Sequence, residues 1–264
     1  MKIGIIGWGV VGSATGEGFM SIGHEVLKHD PKFNTQIDDI LDTDIVFVCV
    51  PTPSGKDGEC DLSIIHETID NLKDKNYEGI IALKSTIIPG TTQGIIDKYK
   101  DNDICFVPEF LRERCAYEDF IMNNDVLAIG AHTDKAFALV SEAHGSISEN
   151  AMWMTPTEAE ILKYYSNTFN ALRVTFANVM YEVCEKLDAD YSNVLEAFIE
   201  RGTATSDYMK CGPNMRGYGG MCLPKDTKAM ADLIKKLNLP FDLFDTIDKD
   251  NDKVQKTVFN GMRE

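Results

Sequence analysis

The chain has 264 residues, 44% of them hydrophobic, so it is long enough for a sizeable core and two domains and has the composition of a globular protein. Its formal net charge of −16 argues against binding to nucleic acid or to an anionic membrane, because so acidic a surface repels both. No stretch approaches the roughly 20 apolar residues of a membrane span, and the N-terminus lacks a signal-peptide pattern. We therefore expect a cytoplasmic protein without a membrane segment.

The cysteine pattern points to a reducing compartment. The seven cysteines are scattered along the chain, their number is odd, and no two of them form a CxxC pair. Neither the cysteines nor the histidines have the spacing of a metal site. Reduced thiols are the simplest interpretation. Most of them should be small buried hydrophobes, as Cys49 is within an apolar run.

The first 150 residues alternate β-branched runs with helical segments. The predicted strands cover 2–6, 25–29, 45–50, 79–83, 104–107 and 126–129. The predicted helices lie near 10–22, 63–74, 91–99 and 134–145. Strands that alternate with helices at this spacing indicate a parallel sheet covered on both faces. We predict a Rossmann-like doubly wound α/β fold.

The pattern becomes helical after Met154. Pro156 fits the first turn of a helix that continues without glycine or proline over about 157–187, and further helices are predicted at 191–200, 226–237 and 241–262. The sequence thus predicts two domains, a Rossmann-like domain over 1–154 and an all-helical domain over 155–264, entered through the long helix. Because long helices with one apolar side often pair between subunits, we expect a homodimer through 157–187.

A glycine motif follows the first predicted strand directly. Gly7, Gly9 and Gly12 form GxGxxG, in which the first glycine permits a tight turn, the second lets the backbone approach a pyrophosphate, and the third allows close packing of helix on strand. Val10 and Val11 begin the next helix, whose free N–H groups and positive dipole end attract phosphate. The motif predicts a dinucleotide site.

Asp30 ends the second predicted strand, 18 residues after Gly12. A carboxylate at this position binds the adenosine ribose hydroxyls and repels a 2′-phosphate, which favours NAD over NADP, although the nearby Lys32 works against this preference. The alternative is a glycine turn in an unrelated α/β protein, with Asp30 as a surface turn residue.

Cys222 follows Gly219 and Gly220 and precedes Pro224, in a segment that looks too broken for a helix. Backbone rich in glycine can fold tightly about a ligand. A cysteine in such a loop is more often structural when taken alone. Beside a dinucleotide fold, the alternative is a nucleophile that attacks an aldehyde and forms a thiohemiacetal.

The long helix carries a polar stripe. Glu160, Lys163, Asn167 and Asn170 are spaced by three, four and three residues, and Asn178 returns to the same face about three turns beyond Asn167. A solvated stripe is one interpretation. Because asparagine solubilises a helix face less well than lysine or glutamate, a polar cleft is the other.

Two further segments end at the expected ligand-binding edge of the sheet. Glu109 and Glu113 follow the strand predicted over 104–107, and Thr86 follows the strand predicted over 79–83. Ligands of open α/β sheets bind outside the carboxyl ends of the strands. Both segments are therefore candidate site residues.

These segments, in this order, resemble the UDP-glucose/GDP-mannose dehydrogenase family. The matching segments are GWGVVG at 7–12, VPTP at 50–53, KSTIIPGT at 84–91, PEFLRE at 108–113, TEAEILKYYSN at 157–167, YMK at 208–210, GYGGMCLPKD at 217–226 and NDKVQ at 251–255. The resemblance covers essentially the whole chain. GGxCxPKD with an upstream ExxKxxxN is its most specific part.

The resemblance implies roles for individual residues. It implies that Cys222 is the covalent nucleophile. It also implies that Lys163 and Asn167 hold the substrate oxygen and a water and stabilise developing negative charge. Asp226 would act with that water in acid–base steps, and Glu113 or Glu109 would be a base or anchor near the thiol. The residues implied near the cofactor are Thr52, Thr86, Glu113 and Lys225. Those implied at the substrate are Glu109, Phe110, Leu111, Lys163, Asn167, Tyr208, Lys210, Gly219 and Gly220.

The resemblance also implies a reaction. Members of this family oxidise the primary alcohol of a nucleotide sugar to the acid with two NAD molecules, keep the aldehyde stage on the thiol and hydrolyse a thioester at the end. They usually continue into a third, C-terminal α/β domain that closes over the nucleotide, whereas this chain stops at Glu264. A naturally short form, a fragment and a chain whose separate partner supplies that domain all remain open.

Two other functions compete with this one. A two-domain dehydrogenase of the hydroxyacid type has a similar length and a helical second half, but it uses a helix lysine without a nucleophilic cysteine, so GGMCLPKD argues against it. A catalytically idle NAD-binding protein is the third possibility. Binding of NAD without binding of any nucleotide sugar would favour it.

Overall fold

The computed structural model describes residues 1–55, 58–122, 126–148, 150–254 and 256. The chain divides into two compact units, of which unit 1 comprises Met1–Pro53 and Cys60–Lys163, and unit 2 comprises Ser54–Glu59 and Tyr164–Glu264. This division falls within the long helix. The domain boundary after residue 154, which rests on composition, stays a prediction.

Unit 1 is built on a seven-stranded sheet in the order β2-β1-β3-β4-β5-β6-β7. Its strands are β1 (Lys2–Ile6), β2 (Glu25–His29), β3 (Ile45–Val48), β4 (Ile80–Leu83), β5 (Ile104–Phe106), β6 (Leu127–Gly130) and β7 (Ala151–Met154). The first five strands are parallel, β6 is antiparallel to β5, and β7 is parallel to β6. Every residue of β3 and β4 is buried, as expected for central strands covered on both faces.

Helices cover both faces of this sheet. They are α1 (Val10–Ser21), α2 (Ser63–Asp74), α3 (Thr91–Tyr99), α4 (Ala116–Met122), α5 (Asp134–His144) and the beginning of α6 (Pro156–Lys186). One apolar core lies around Phe19 and Phe47, and a second lies around Ile69 and Leu83. The predicted Rossmann-like doubly wound fold is confirmed. The strand β7 and the helix α4 were not predicted, and neither was the reversal of direction at β6.

The sheet order creates a crevice beside β1. The chain passes from β1 through α1 to β2 on one side of β1, and then continues to β3 on the other side. Where strand order reverses in this way, the crevice outside the carboxyl ends of the two strands is the usual dinucleotide site. The glycine motif occupies the end of β1, so the topology places it at this switch point.

Unit 2 is helical and contains the rest of α6 with α7 (Tyr191–Glu200), α8 (Leu223–Lys236) and α9 (Leu243–Lys253). The prediction of one long helix that enters a helical region is confirmed. The prediction that the segment around Cys222 is too broken for a helix was wrong, because α8 begins at Leu223 with Pro224 in its first turn, where proline is tolerated. The helix predicted over 241–262 begins at Leu243 and ends at Lys253, and the part of the prediction beyond 256 lies outside the described residues.

Within the same described ranges, no helix is both long and apolar enough to cross a membrane. Nor do these ranges contain three or more histidine, cysteine, aspartate or glutamate side chains grouped to hold a metal ion.

Candidate active site

The glycine loop has the shape that a dinucleotide phosphate requires. Gly7 has φ +88°, and a Cβ there would lie 2.7 Å from the carbonyl oxygen of Cys49. A Cβ on Gly12 would lie 1.9 Å from the carbonyl oxygen of Gly7, so both positions exclude any side chain. A Cβ on Gly9, by contrast, would meet no atom within 4 Å. This open approach lies at the N-terminus of α1, which begins at Val10, and it fits the pyrophosphate of NAD.

Asp30 connects the end of β2 to this loop. Its Oδ2 accepts a hydrogen bond from the backbone N–H of Trp8 at 2.7 Å, and its Oδ1 accepts one from the backbone N–H of Lys32 at 2.9 Å. Burial alone would raise the pKa of Asp30, but the hydrogen bonds from Lys32 and Trp8 outweigh it and bring the pKa below its ordinary value. Asp30 is therefore a buried anion rather than a surface turn residue. Each oxygen has a second lone pair for a ribose hydroxyl.

Thr52 and Thr86 come together beyond the ends of β3 and β4. The hydroxyl of Thr52 donates to the carbonyl oxygen of Thr86 at 2.7 Å, and the thiol of Cys60 approaches the same oxygen at 3.8 Å. Thr52 is buried, and Thr86 is half-buried. These contacts fix the backbone of Thr86 at the edge of the sheet where the sequence predicted it.

Glu109 and Lys163 form a buried ion pair. The ammonium of Lys163 donates to Glu109 Oε1 at 2.8 Å and to the Glu109 carbonyl oxygen at 2.5 Å. Lys163 is 3% exposed and Glu109 is 7% exposed. Burial alone would raise the pKa of Glu109, but the positive charge of Lys163 outweighs it and holds the pKa below its ordinary value. The pair therefore joins the segment after β5 to the first turns of α6, and Glu109 is an anion.

A second lysine, which the sequence analysis did not single out, lies close to this pair. Lys84 follows β4 and is 4% exposed, with its ammonium 5.7 Å from the centre of the Phe120 ring. Burial lowers the pKa of Lys84, while Cys49 and Glu109 oppose this shift. The signal available in the sequence was a lysine directly after an apolar strand. Burial also raises the pKa of the Cys49 thiol to about 12, so Cys49 stays protonated.

Glu160 does not belong to a polar cleft. Its fully buried carboxylate accepts hydrogen bonds from the backbone N–H of Gly90 at 2.6 Å, and from the N–H and hydroxyl of Thr92 at 2.8 and 2.5 Å. These donors lie at the beginning of α3. Glu160 therefore caps α3 and stabilises its unpaired N–H groups. At Glu160 the stripe is therefore neither solvated nor part of an open cleft, which helical spacing alone does not show.

The last two members of the stripe also have structural contacts. Asn170 accepts a hydrogen bond from the guanidinium of Arg173, three residues further along α6. Asn178 is 2% exposed and bonds to residues of the segment 211–217. Lys163 and Asn167 remain the stripe residues that carry a candidate chemical role.

In unit 2 the candidate groups gather at the beginning of α8. Asn167 donates from Nδ2 to Asp226 Oδ2 at 2.5 Å, and Lys225 Nζ lies 3.2 Å from Asp226 Oδ1. Asp226 is fully buried, whereas Cys222 is exposed. The N–H of Asp226 donates to the carbonyl oxygen of Cys222 at 2.8 Å, so the thiol residue precedes the carboxylate by one helical turn.

The residues expected at the substrate lie in several places. Phe110 is 40% exposed with its ring centre 5.6 Å from Lys163 Nζ, and Leu111 donates its N–H to Glu109 Oε2 at 2.8 Å. Glu113 is exposed at the start of a 3-10 turn, whereas the buried Glu109 contacts Lys163.

Further substrate candidates lie before α8. Tyr208 has φ +62° and is stacked by the guanidinium of Arg173 at 5.1 Å. Lys210 is exposed and lines a cavity of about 690 Å³ between α7 and the segment 206–215. Gly220, next to the half-buried Gly219, has φ +77°, which suits a glycine.

The fold, the glycine loop and Asp30 together define a dinucleotide-binding protein of the Rossmann class. Two models of one family match the chain: the NAD binding domain of the UDP-glucose/GDP-mannose dehydrogenase family at 31–148, and the central domain of that family at 157–253. The chain belongs to the UDP-glucose/GDP-mannose dehydrogenase family. The resemblance seen in the sequence and the prediction of NAD as the cofactor are confirmed.

Individual relatives agree with this assignment. UDP-glucose 6-dehydrogenase of Rickettsia bellii is 32% identical over 240 residues, which cover 88% of this chain and 54% of that protein. A UDP-glucose dehydrogenase structure from Pyrobaculum islandicum superimposes with a TM-score of 0.87 at 26% identity, over 96% of this chain and 68% of that one. The chain spans 54 to 65% of the length of three curated relatives.

A structure of Mycobacterium tuberculosis 3-hydroxyisobutyrate dehydrogenase is also similar, with a TM-score of 0.74, and the match covers 96% of this chain and 92% of that one. Its sequence identity of 12% shows a shared fold alone. The hydroxyacid alternative therefore has the same architecture, and the residues of the site have to separate the two functions.

Proposed function

We propose that the chain carries the cofactor site and the reacting groups of an NAD-dependent nucleotide-sugar dehydrogenase, which oxidises the primary alcohol of a UDP-glucose-like substrate to the uronic acid. The observation that carries this proposal is the arrangement at α8, where an exposed thiol at Cys222 precedes the buried Asp226 by one turn and Asn167 binds that carboxylate. When bound, NAD accepts the hydride in each of the two oxidations.

Lys163 and Asn167 act on the reacting oxygen in this proposal. They are four residues apart on α6, so they share one face of that helix. The ammonium of Lys163, paired with the anionic Glu109, and the amide of Asn167 stabilise negative charge that develops on the substrate oxygen. Thr86, fixed by the hydroxyl of Thr52, borders the cofactor end.

Cys222 carries the aldehyde stage. Its sulfur adds to the aldehyde carbon while the thiol proton passes to the carbonyl oxygen, which gives a thiohemiacetal. That carbon then gives up a hydride, which bound NAD would take, and its hydroxyl group gives up a proton to solvent, which leaves a thioester. Water then attacks the thioester, the carbon–sulfur bond breaks, and the acid and the thiol are released. Asp226, whose carboxylate lies at the same end of α8, accepts a proton from that water and passes it to the departing sulfur, which restores the thiol.

Product stoichiometry tests this function. A panel of nucleotide sugars is supplied with NAD, and two NADH per acid formed are expected from the accepted substrate. Cys222→Ser should form no acid while its NAD affinity, measured by calorimetry, stays unchanged. Cys184→Ala, which removes a buried thiol in unit 2, is the matched control and should retain turnover. Full two-step turnover by Cys222→Ser would refute the mechanism.

The same measurements separate the alternatives. One NADH per substrate would favour the hydroxyacid type of dehydrogenase. Binding of NAD with no binding of any nucleotide sugar would favour an idle chain, or one that depends on a separate partner for the remaining length of its relatives.

We also propose that α6 pairs with a second copy of the chain. Its exposed apolar side chains recur every three, four or seven residues along the helix, as a helix–helix seam requires. They are Ile161, Tyr165, Phe169, Phe176, Val179 and Val183. Sedimentation should show a dimer that Val179→Glu with Val183→Glu converts to a monomer. A monomeric wild-type chain would refute this pairing.

A further inference from the structure

The segment that leads to the thiol, residues 217–222, is bound by two buried asparagines of unit 2. The first is Asn178 on α6, which is 2% exposed. Its Nδ2 donates to the carbonyl oxygen of Val174 at 2.8 Å, which turns Oδ1 toward the segment. That oxygen accepts from the N–H of Gly217 at 3.2 Å, from Arg216 Nε at 3.0 Å and from the Cys211 thiol at 3.4 Å.

The second is Asn251 on α9, which is 1% exposed. Its Oδ1 accepts from the N–H of Tyr218 at 2.8 Å, and its Nδ2 donates to the carbonyl oxygen of Tyr218 at 3.0 Å. A Cβ on Gly217, which has φ +66°, would lie 3.0 Å from Asn251 Oδ1. The two amides therefore bind adjacent peptide groups, and glycine at 217 permits their approach.

The part of the segment between these bonds and α8 is rich in glycine. Gly219 and Gly220 follow Tyr218, and glycine loses more conformational freedom on ordering than any other residue. The ring of Tyr218 is buried in a cluster with Ala171 and Ile247, against which Leu223, the first residue of α8, also packs. The thiol of Cys222 is thus positioned between the bonds at 217–218 and the start of α8.

We propose that Asn178 and Asn251 are positioning residues for Cys222. This inference rests on the proposed function, because it assigns them to the thiol of that reaction. Neither amide needs to touch the substrate. Each binds the backbone four or five residues before the thiol, and a displacement of about 1 Å of a reacting group lowers a rate by about 100-fold.

The test compares four variants with the wild type at a temperature at which circular dichroism shows that each of them is folded. We expect Asn178→Ala and Asn251→Ala to lower kcat by roughly 10- to 100-fold with the KM for NAD unchanged. Asn178→Asp keeps the acceptor oxygen and should restore kcat to within about threefold of the wild type. Cys184→Ala, which disturbs the same unit without touching either asparagine, should keep kcat.

Hydrogen exchange provides a second readout. Peptides that contain 217–222 should exchange faster in Asn178→Ala and Asn251→Ala than in the wild type or in Cys184→Ala. A kcat for the two alanine variants equal to that of Cys184→Ala would overturn the proposal and leave the asparagines with a purely structural role. Should Asn251→Ala fail to fold, Asn251→Asp replaces the donor to the Tyr218 carbonyl oxygen with a carboxylate oxygen, and an unchanged kcat in that variant would also overturn the proposal.

The failure of this proposal differs from the failure of the proposed function. If the wild type forms no acid from any nucleotide sugar, the function is refuted, and hydrogen exchange still decides whether the asparagines order the segment. Unchanged exchange over 217–222 in both alanine variants would then refute the positioning role by itself.

Discussion

His144 gives unit 1 a defined sensitivity to acid. The residue is 1% exposed, and its ring centre lies 5.0 Å from that of Phe19 and 5.9 Å from those of Phe47 and Phe120. Its Nδ1 lies 2.8 Å from the carbonyl oxygen of Val140, which makes Nδ1 the protonated nitrogen of a neutral ring. Burial lowers the pKa of His144 from 6.5 to about 3, and the nearby positive charge of Lys84 acts in the same direction.

The sign and size of the effect follow from this shift. Below pH 6.5 the unfolded chain takes up a proton on His144 while the folded chain does not, so stability falls as the pH falls from 6.5 toward 3. Each pH unit in this window costs about 1.4 kcal/mol, so a fall to pH 4.5 should cost about 3 kcal/mol from this residue alone.

The test compares the wild type with His144→Phe, in which a phenyl ring replaces the imidazole beside the three phenylalanines. Urea denaturation at pH 7.5 and pH 4.5 gives the change in the free energy of unfolding for each protein. The wild type should lose about 3 kcal/mol more than His144→Phe. His132→Gln, which replaces an exposed histidine, should lose as much as the wild type. Equal losses in the wild type and His144→Phe would refute the argument.

Three further substitutions test other contacts. Lys163→Met leaves Glu109 buried without its partner ammonium, so it should lower the free energy of unfolding by about 3–5 kcal/mol and should also lower turnover. A fall in the free energy of unfolding under about 1 kcal/mol, measured by urea denaturation, would contradict this. Asp30→Ala removes the acceptor of the Trp8 N–H and should weaken NAD binding by about tenfold or more, and an unchanged Kd would argue against a role in binding. Glu160→Gln should cost about 1 kcal/mol through the α3 cap and leave kcat unchanged; a large fall in kcat would return Glu160 to the site.

Local pattern was sufficient for most of the fold. The predicted limits of β1, β2, α2, α3 and α7 coincide with the observed ones, because each has a clear period and a bounding turn. The strand β7 was missed because it lies at the edge of the sheet with Ala151–Trp153 exposed, so it lacks the apolar run of a central strand. The helix α4 has only seven residues, too few for a helical period to emerge.

The candidate site was predicted less completely than the fold. The sequence identified Glu109, Lys163, Asn167 and Asp226 singly, but their pairing depends on contacts 54 and 59 residues apart along the chain. Such contacts leave no local pattern. Glu160 has the spacing of a cleft residue and yet caps α3, because one helix face can serve two different neighbours along its length.

Among the seven cysteines, all of which lie in the described ranges, Cys222 is the exposed one. The others are buried or half-buried, and burial raises the pKa of Cys49, Cys105 and Cys211. An electrophile at neutral pH should therefore meet Cys222 before the half-buried and buried sulfurs, and labelling with a single equivalent would count intact sites in a preparation. The same exposure makes the thiol the first target of peroxide, so a preparation would lose Cys222 before any other cysteine and recover it on reduction of the sulfenic acid.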